Sequence, residues 1–129
     1  MADEGADFTR TFRGLSEAAA DPASTAVAEL FPDRAPIESW LARWRERLSS
    51  EPIEASERAA AMRAVNPLFI PRNHRIEAVI RAAVDQADFA PFETLLKVLA
   101  SPFDDQPDLA DYANPPKPEE EVRQTFCGT

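Results

Sequence analysis

Few residues in this chain have the types and spacing that chemistry requires, and the stretch around which they are best read is Met62 to His74, MRAVNPLFIPRNH. His74 is the only histidine and Cys127 the only cysteine. A lone imidazole with one distant thiol matches no metal-ligand spacing, and a Ser-His-Asp triad has no partners to recruit around it. His74 therefore reads as a structural residue at a helix start. Arg72 and Arg75 flank it and could meet a phosphate there, although such a pair more often forms a solvated or salt-bridged face. Asp104, Asp105, Asp108 and Asp111 are spaced loosely like a calcium loop. The central glycine and the terminal bidentate Glu are missing, and Pro107 intrudes. Glu119–Glu121 reads as a solvated charge run. Trp40 and Trp44, one helical turn apart, read as core and not as a ligand platform. Cys127 stands third from the last residue behind a polar tail and admits two readings, an inert thiol or an accessible one able to exchange. No GxGxxG, GxxxxGK(S/T), HRD or DFG-like motif occurs.

The composition narrows the function classes. Of 129 residues, 44% are hydrophobic and 9% aromatic, as expected of a globular chain with room for one modest core. Twelve prolines against three glycines argue for helices separated by stops, and against hairpin-rich sheet or a glycine-rich phosphate loop. The net charge of −9, from 23 acidic and 14 basic residues, lacks the basic footprint that nucleic acid requires. No apolar run approaches the roughly 20 residues needed to cross a bilayer, and the acidic start MADEGADF has no signal-peptide core. The expected partners thus exclude nucleic acid and membrane, and the expected location is cytoplasmic.

The elements that position these residues follow from periodicity and punctuation. Residues 1–6 are expected to be disordered. Asp7 caps a helix over Phe8–Ala20 with Phe8, Phe12 and Leu15 recurring at helical spacing. A short helix is expected over Ser24–Phe31, stopped by Pro32. Pro36 suits the first turn of a helix reaching about Ser49, with the stripe Ile37, Trp40, Leu41, Trp44 and Leu48. The Ala-rich stretch Glu54–Val65 is a good helix former, with Glu54, Glu57, Arg58 and Arg63 on its exposed side. Asn66-Pro67 ends it. Leu68-Phe69-Ile70 then forms a buried extended crossing, and Asn73 caps a helix over His74–Ala87 with Ile76, Val79, Ile80 and Ala83 inward. Asp88 caps the last helix, Phe89–Ala100, with Phe92, Leu95, Leu96 and Leu99 inward. The short link makes this pair an antiparallel αα-hairpin. From Ser101 onward seven acids face two bases, and five prolines keep the chain extended, with a turn around Asp108–Tyr112. The expected class is all-α, with five to six helices, a helical region over 7–100 and an extended Pro-rich acidic tail over 101–129.

Several of these stretches carry a resemblance. Asn66, Pro67, Ile70, Arg72 and Asn73 form an NP-x-x-I-x-R-N pattern. Asp7 to Leu15 reads D-F-T-x-x-F-R-x-L. Further landmarks are Met62-Arg63, Asp88-Phe89, Ser101-Pro102-Phe103, Tyr112 with Pro115-Pro116, and the ending Phe126-Cys127-Gly128-Thr129. In this order the chain resembles the C-terminal region of the selenoprotein O family, also called SelO or YdiU. The resemblance implies a pseudokinase, kinase-like enzyme that transfers AMP from ATP to Ser, Thr or Tyr hydroxyls of proteins, with magnesium. The family's ATP-binding lysine, metal-binding Asp and Asn, and nucleotide arginines belong to a core upstream of the region matched here. No catalytic, cofactor-binding or metal-binding residue is therefore carried over. Asn66, Pro67, Arg72 and Asn73 carry over as signature and structural residues. Cys127 matches the near-terminal cysteine that is selenocysteine in some animal members and is linked to redox control.

The leading expectation is a helical segment of a SelO-like adenylyltransferase, non-catalytic by itself, whose partner is the kinase-like core of the same enzyme or another protein. Two others stand beside it: an independent acidic helical adaptor for protein interaction, and a thiol-redox module acting through Cys127 with a partner thiol.

Overall fold

A computed structural model describes residues 5–124, and among these every regular element is helical. Five α-helices and three 3-10 turns follow one another, with no strand among the described residues. The chain divides into two compact units, residues 1–68 and 69–129.

In the first unit, Asp7 starts α1 (Phe8–Ala20) as its side chain accepts from the Arg10 N–H at 2.8 Å, while the Thr11 hydroxyl donates to the Asp7 carbonyl at 2.7 Å. The first of these bonds satisfies a backbone donor that a helix start otherwise leaves unpaired. The buried face of α1 is Thr11, Leu15, Ala18 and Ala19; Phe8, expected on that face, is exposed and stacks obliquely on Phe12 with ring centroids 4.6 Å apart.

The expected helix over Ser24–Phe31 is replaced by turns that close in a 3-10 turn, Ala28–Leu30. Local side chains compete with the helical ladder here. Asp21 Oδ1 accepts from the Ala23 N–H at 2.9 Å, and the Thr25 hydroxyl donates to Glu29 at 2.8 Å. The segment still delivers Val27 and Phe31 to the core, which they form with Leu15, Ala18 and Leu41.

Helix α2 (Arg34–Ser49) is capped by Asp33, whose carboxylate accepts from the Ala35 N–H at 3.0 Å. Leu41 is its one fully buried residue, with Ile37 and Trp44 packed partly against the core. Trp40, expected inside, is exposed and stacks on Trp44 at 5.7 Å. Helix α3 (Ala55–Val65) packs on α1; small residues make the close approach feasible, with Ala59 fully buried. Arg58 does not lie on an exposed face as expected. Its guanidinium donates to the carbonyls of Leu48 (3.0 Å) and Ile53 (3.2 Å), tying down the α2–α3 loop.

In the second unit, α4 (Asn73–Gln86) and α5 (Ala90–Ala100) form the expected hairpin. Its sharp turn rests on Ala87, the one non-glycine residue with positive φ (52°) among the described residues. The Asp88 N–H returns to the Ala82 carbonyl at 3.0 Å, and the Asp88 side chain accepts from the Ala90 N–H at 3.0 Å. Beyond α5 the chain runs through a 3-10 turn at Pro107–Ala113 and another at Pro118–Glu120, joined by extended backbone. Gln106 closes the end of α5 by donating to the Val98 and Ser101 carbonyls, both at 3.0 Å. None of the described helices is long and apolar enough to cross a membrane.

Candidate functional site

The signature stretch supplies joints between elements. Asn66 stands just past α3, with extended backbone (φ −110°, ψ 101°) as its neighbour Pro67 requires. Its side-chain amide donates to the Met62 carbonyl at 2.8 Å. Its own carbonyl accepts from Arg13 Nη1 at 3.3 Å, and the Arg63 carbonyl accepts from the same nitrogen at 3.4 Å. Arg13 is buried on α1, so a guanidinium from one signature stretch closes the carbonyl end of the helix that precedes the other. A cation there also suits the negative end of the helix dipole. Gly14, next along α1, faces Val27: a Cβ at this position would lie 3.1 Å from a Val27 methyl.

Within the second unit the crossing is buried at Phe69, whose N–H donates to the Pro102 carbonyl at 3.1 Å. This joins the signature stretch to the Ser101-Pro102-Phe103 landmark. Arg72 is buried and occupies the cap position of α4. Asn73, expected to be the cap, is the first helical residue, and no side chain caps this helix. The Arg72 backbone takes over instead, its carbonyl accepting from the Arg75 and Ile76 N–H groups at 3.0 Å each. Arg75 donates through Nη2 to the Asp111 carbonyl at 2.6 Å, and its guanidinium carbon lies 5.0 Å from the centre of the Tyr112 ring. The arginine that could have met a phosphate is thus held against the 3-10 turn Pro107–Ala113, partly by a cation–π contact.

His74 is buried on the first turn of α4, beside a cleft of about 420 Å³ that Ile70, Pro71, Arg72 and Arg123 also line. Burial pushes its pKa below the ordinary histidine value, as does the charge of Arg75, while Glu120 opposes them. The Glu120 carboxylate is lowered in turn, chiefly by accepting the Lys117 backbone N–H at 3.0 Å. No group of three or more His, Cys, Asp or Glu among the described residues could hold a metal ion. Gly5 precedes α1 and Gly14 packs on Val27, so neither builds a phosphate-cradling loop. The described residues do not fit a nucleotide–metal site.

Asn66, Pro67, Arg72 and Asn73 stand out in the sequence as signature positions; Arg13 as the partner of Asn66 and Arg75 as the partner of Tyr112 do not. The only signal for either was that each lies in or beside a signature stretch. Cys127 lies outside the described residues.

Comparison with known proteins agrees with this distribution of landmarks. The family model described as protein adenylyltransferase SelO matches residues 1–100. Over the whole chain there is 59% identity to the protein nucleotidyltransferase YdiU of Rhodopseudomonas palustris, and 60% to that of Bradyrhizobium diazoefficiens. A third such protein, from a Bradyrhizobium species, is 62% identical over the same 129 residues. In each case the chain spans about a quarter (26%) of the relative's length. With the family model covering most of its residues, and its signature stretches meeting at the joints of the helices, the chain belongs to the protein adenylyltransferase SelO family.

Proposed function

We propose that this chain is a helical supporting region of a SelO-type protein adenylyltransferase and is not itself catalytic. In the complete enzyme ATP supplies the AMP, magnesium assists, and a protein hydroxyl accepts it; a kinase-like core, the chain's principal partner, houses that chemistry. The observation that carries this reading is the use made of the signature residues. Arg13 and Asn66 join α1 to α3, Phe69 meets Pro102, and Arg75 holds Asp111 and Tyr112. These contacts fix helices, and none converges on a point where a phosphate or metal ion could sit.

The test is linkage between nucleotide and folding. A ligand held at about 100 times its dissociation constant stabilises a folded protein by about 2.7 kcal/mol. Millimolar ATP with magnesium should leave the unfolding transition of the 129-residue chain unmoved. A saturable stabilisation by ATP would show a nucleotide site in the chain and overturn the reading.

A further inference from the structure

The α4–α5 hairpin carries more apolar surface than its own packing covers. On α5, Leu95 and Val98 are buried, yet Phe92 and Leu96, one turn apart on an adjacent side, are 44% and 53% exposed. Phe89, just before the helix, is 58% exposed. On α4, Ile80 and Val84 form a second one-turn pair, 49% and 76% exposed. A helix apolar on both an inner and an outer side is the pattern of an element buried on both sides, and aromatic and aliphatic side chains at i, i+3 and i+7 are the anchors of a helix laid in a groove. Asp85, Asp88 and Glu93 adjoin the stripes and are exposed, against one exposed cation, Lys97, beside Leu96; the nearby Arg81 is engaged by Glu77 at 3.8 Å. The rim is therefore acidic.

From this face we infer a docking surface for the kinase-like part of a SelO-type polypeptide, through an apolar groove with a basic rim. The proposal rests on the function proposed above. Its occupant follows from length: relatives about 60% identical over every residue of this chain carry roughly three-quarters of their polypeptide outside the matched segment. Phe89, Phe92 and Leu96 are the anchors, Ile80 and Val84 the flank, and the three acids set the register through complementary charge.

Hydroxyl-radical footprinting tests this on two folded proteins: the 129-residue chain, and the full-length Rhodopseudomonas palustris relative carrying this chain in place of the segment it matches. In the long protein, Phe89, Phe92 and Leu96 should be labelled at least fivefold more slowly than in the chain alone. Equal labelling of these three, with protection elsewhere on the chain, overturns the docking surface and leaves the supporting role standing. No protection at any position overturns both. Protection in the isolated chain that grows with its concentration assigns the face to a second copy and likewise overturns the proposal. A Phe92→Ser/Leu96→Ser chimera adds an independent readout. The substituted sites are solvent-exposed in the chain alone, so the chain should keep its helical circular dichroism while protection of Phe89 in the long protein is lost; retained protection counts against the groove.

Discussion

Replacing Arg13 with methionine tests the joint that brings two distant signature stretches together. Methionine keeps much of the unbranched apolar stem inside α1 but removes the guanidinium that serves the Arg63 and Asn66 carbonyls. Both bonds are long, at 3.4 and 3.3 Å, so each belongs at the weak end for a charged donor, about 1 kcal/mol. The lost interaction between the cation and the C-terminal end of α3 adds about 0.5 kcal/mol. The sum is about 2–3 kcal/mol, a large share of the stability of a small unit. The chain's two tryptophans, Trp40 and Trp44, both lie in the first unit, so their fluorescence reports its unfolding alone. With a urea dependence of about 1 kcal/mol per molar for a unit of this size, the midpoint should fall by roughly 2–3 M. Arg13→Lys, which retains a charge but not the forked donor, should recover part of the loss. A midpoint shift below about 0.5 M for Arg13→Met, at unchanged slope, would refute the idea that this contact holds α1 to α3.

Ala87→Gly relieves a left-handed conformation that costs an alanine about 1 kcal/mol, so the second unit should gain about that much, read by hydrogen exchange in α4 and α5; a loss of protection would contradict the hairpin geometry. The single His74 makes its proton NMR titration unambiguous. Its folded pKa should lie below 6.5, because burial, and then the Arg75 charge, disfavour the imidazolium. A lowered folded pKa contributes stability that is present above the unfolded value and lost as the pH falls through the folded one. The second unit should therefore weaken as the pH falls below about 6.5, and His74→Gln should remove that part of the pH dependence; a titration midpoint at or above 6.5 would refute it. Cys127→Ser should abolish any mixed disulfide formed between the chain and a partner thiol under mild oxidation; an adduct that survives the substitution rules out the redox reading.

Helix existence was legible in the sequence where proline punctuates good helix formers. Helices α3, α4 and α5 begin and end within one or two residues of expectation for that reason. Ser24–Phe31 was not legible, because its helix competes with Asp21 and Thr25 hydrogen bonds whose outcome periodicity does not encode. The buried side of α5 was ambiguous for the opposite reason. Phe92, Leu95, Leu96, Val98 and Leu99 offer two apolar arcs, and only packing decides that Leu95 and Val98 go inside. Asn73 looked like a cap, but Arg72 takes that position one residue earlier. The signature positions stood out in the sequence, whereas their partners did not: Arg13 lies 53 residues from Asn66, and Arg75 lies 36 from Asp111. Long-range side-chain-to-backbone bonds of this kind leave no local periodicity to read.

That this chain supports a transfer it does not itself perform is tested by incubating the 129-residue chain with magnesium, a protein acceptor and ATP labelled at the α-phosphate, alongside the full-length Rhodopseudomonas palustris relative carrying this chain in place of its matched segment. Labelled acceptor should form only with the long protein. Labelled protein formed by the 129-residue chain alone would contradict it.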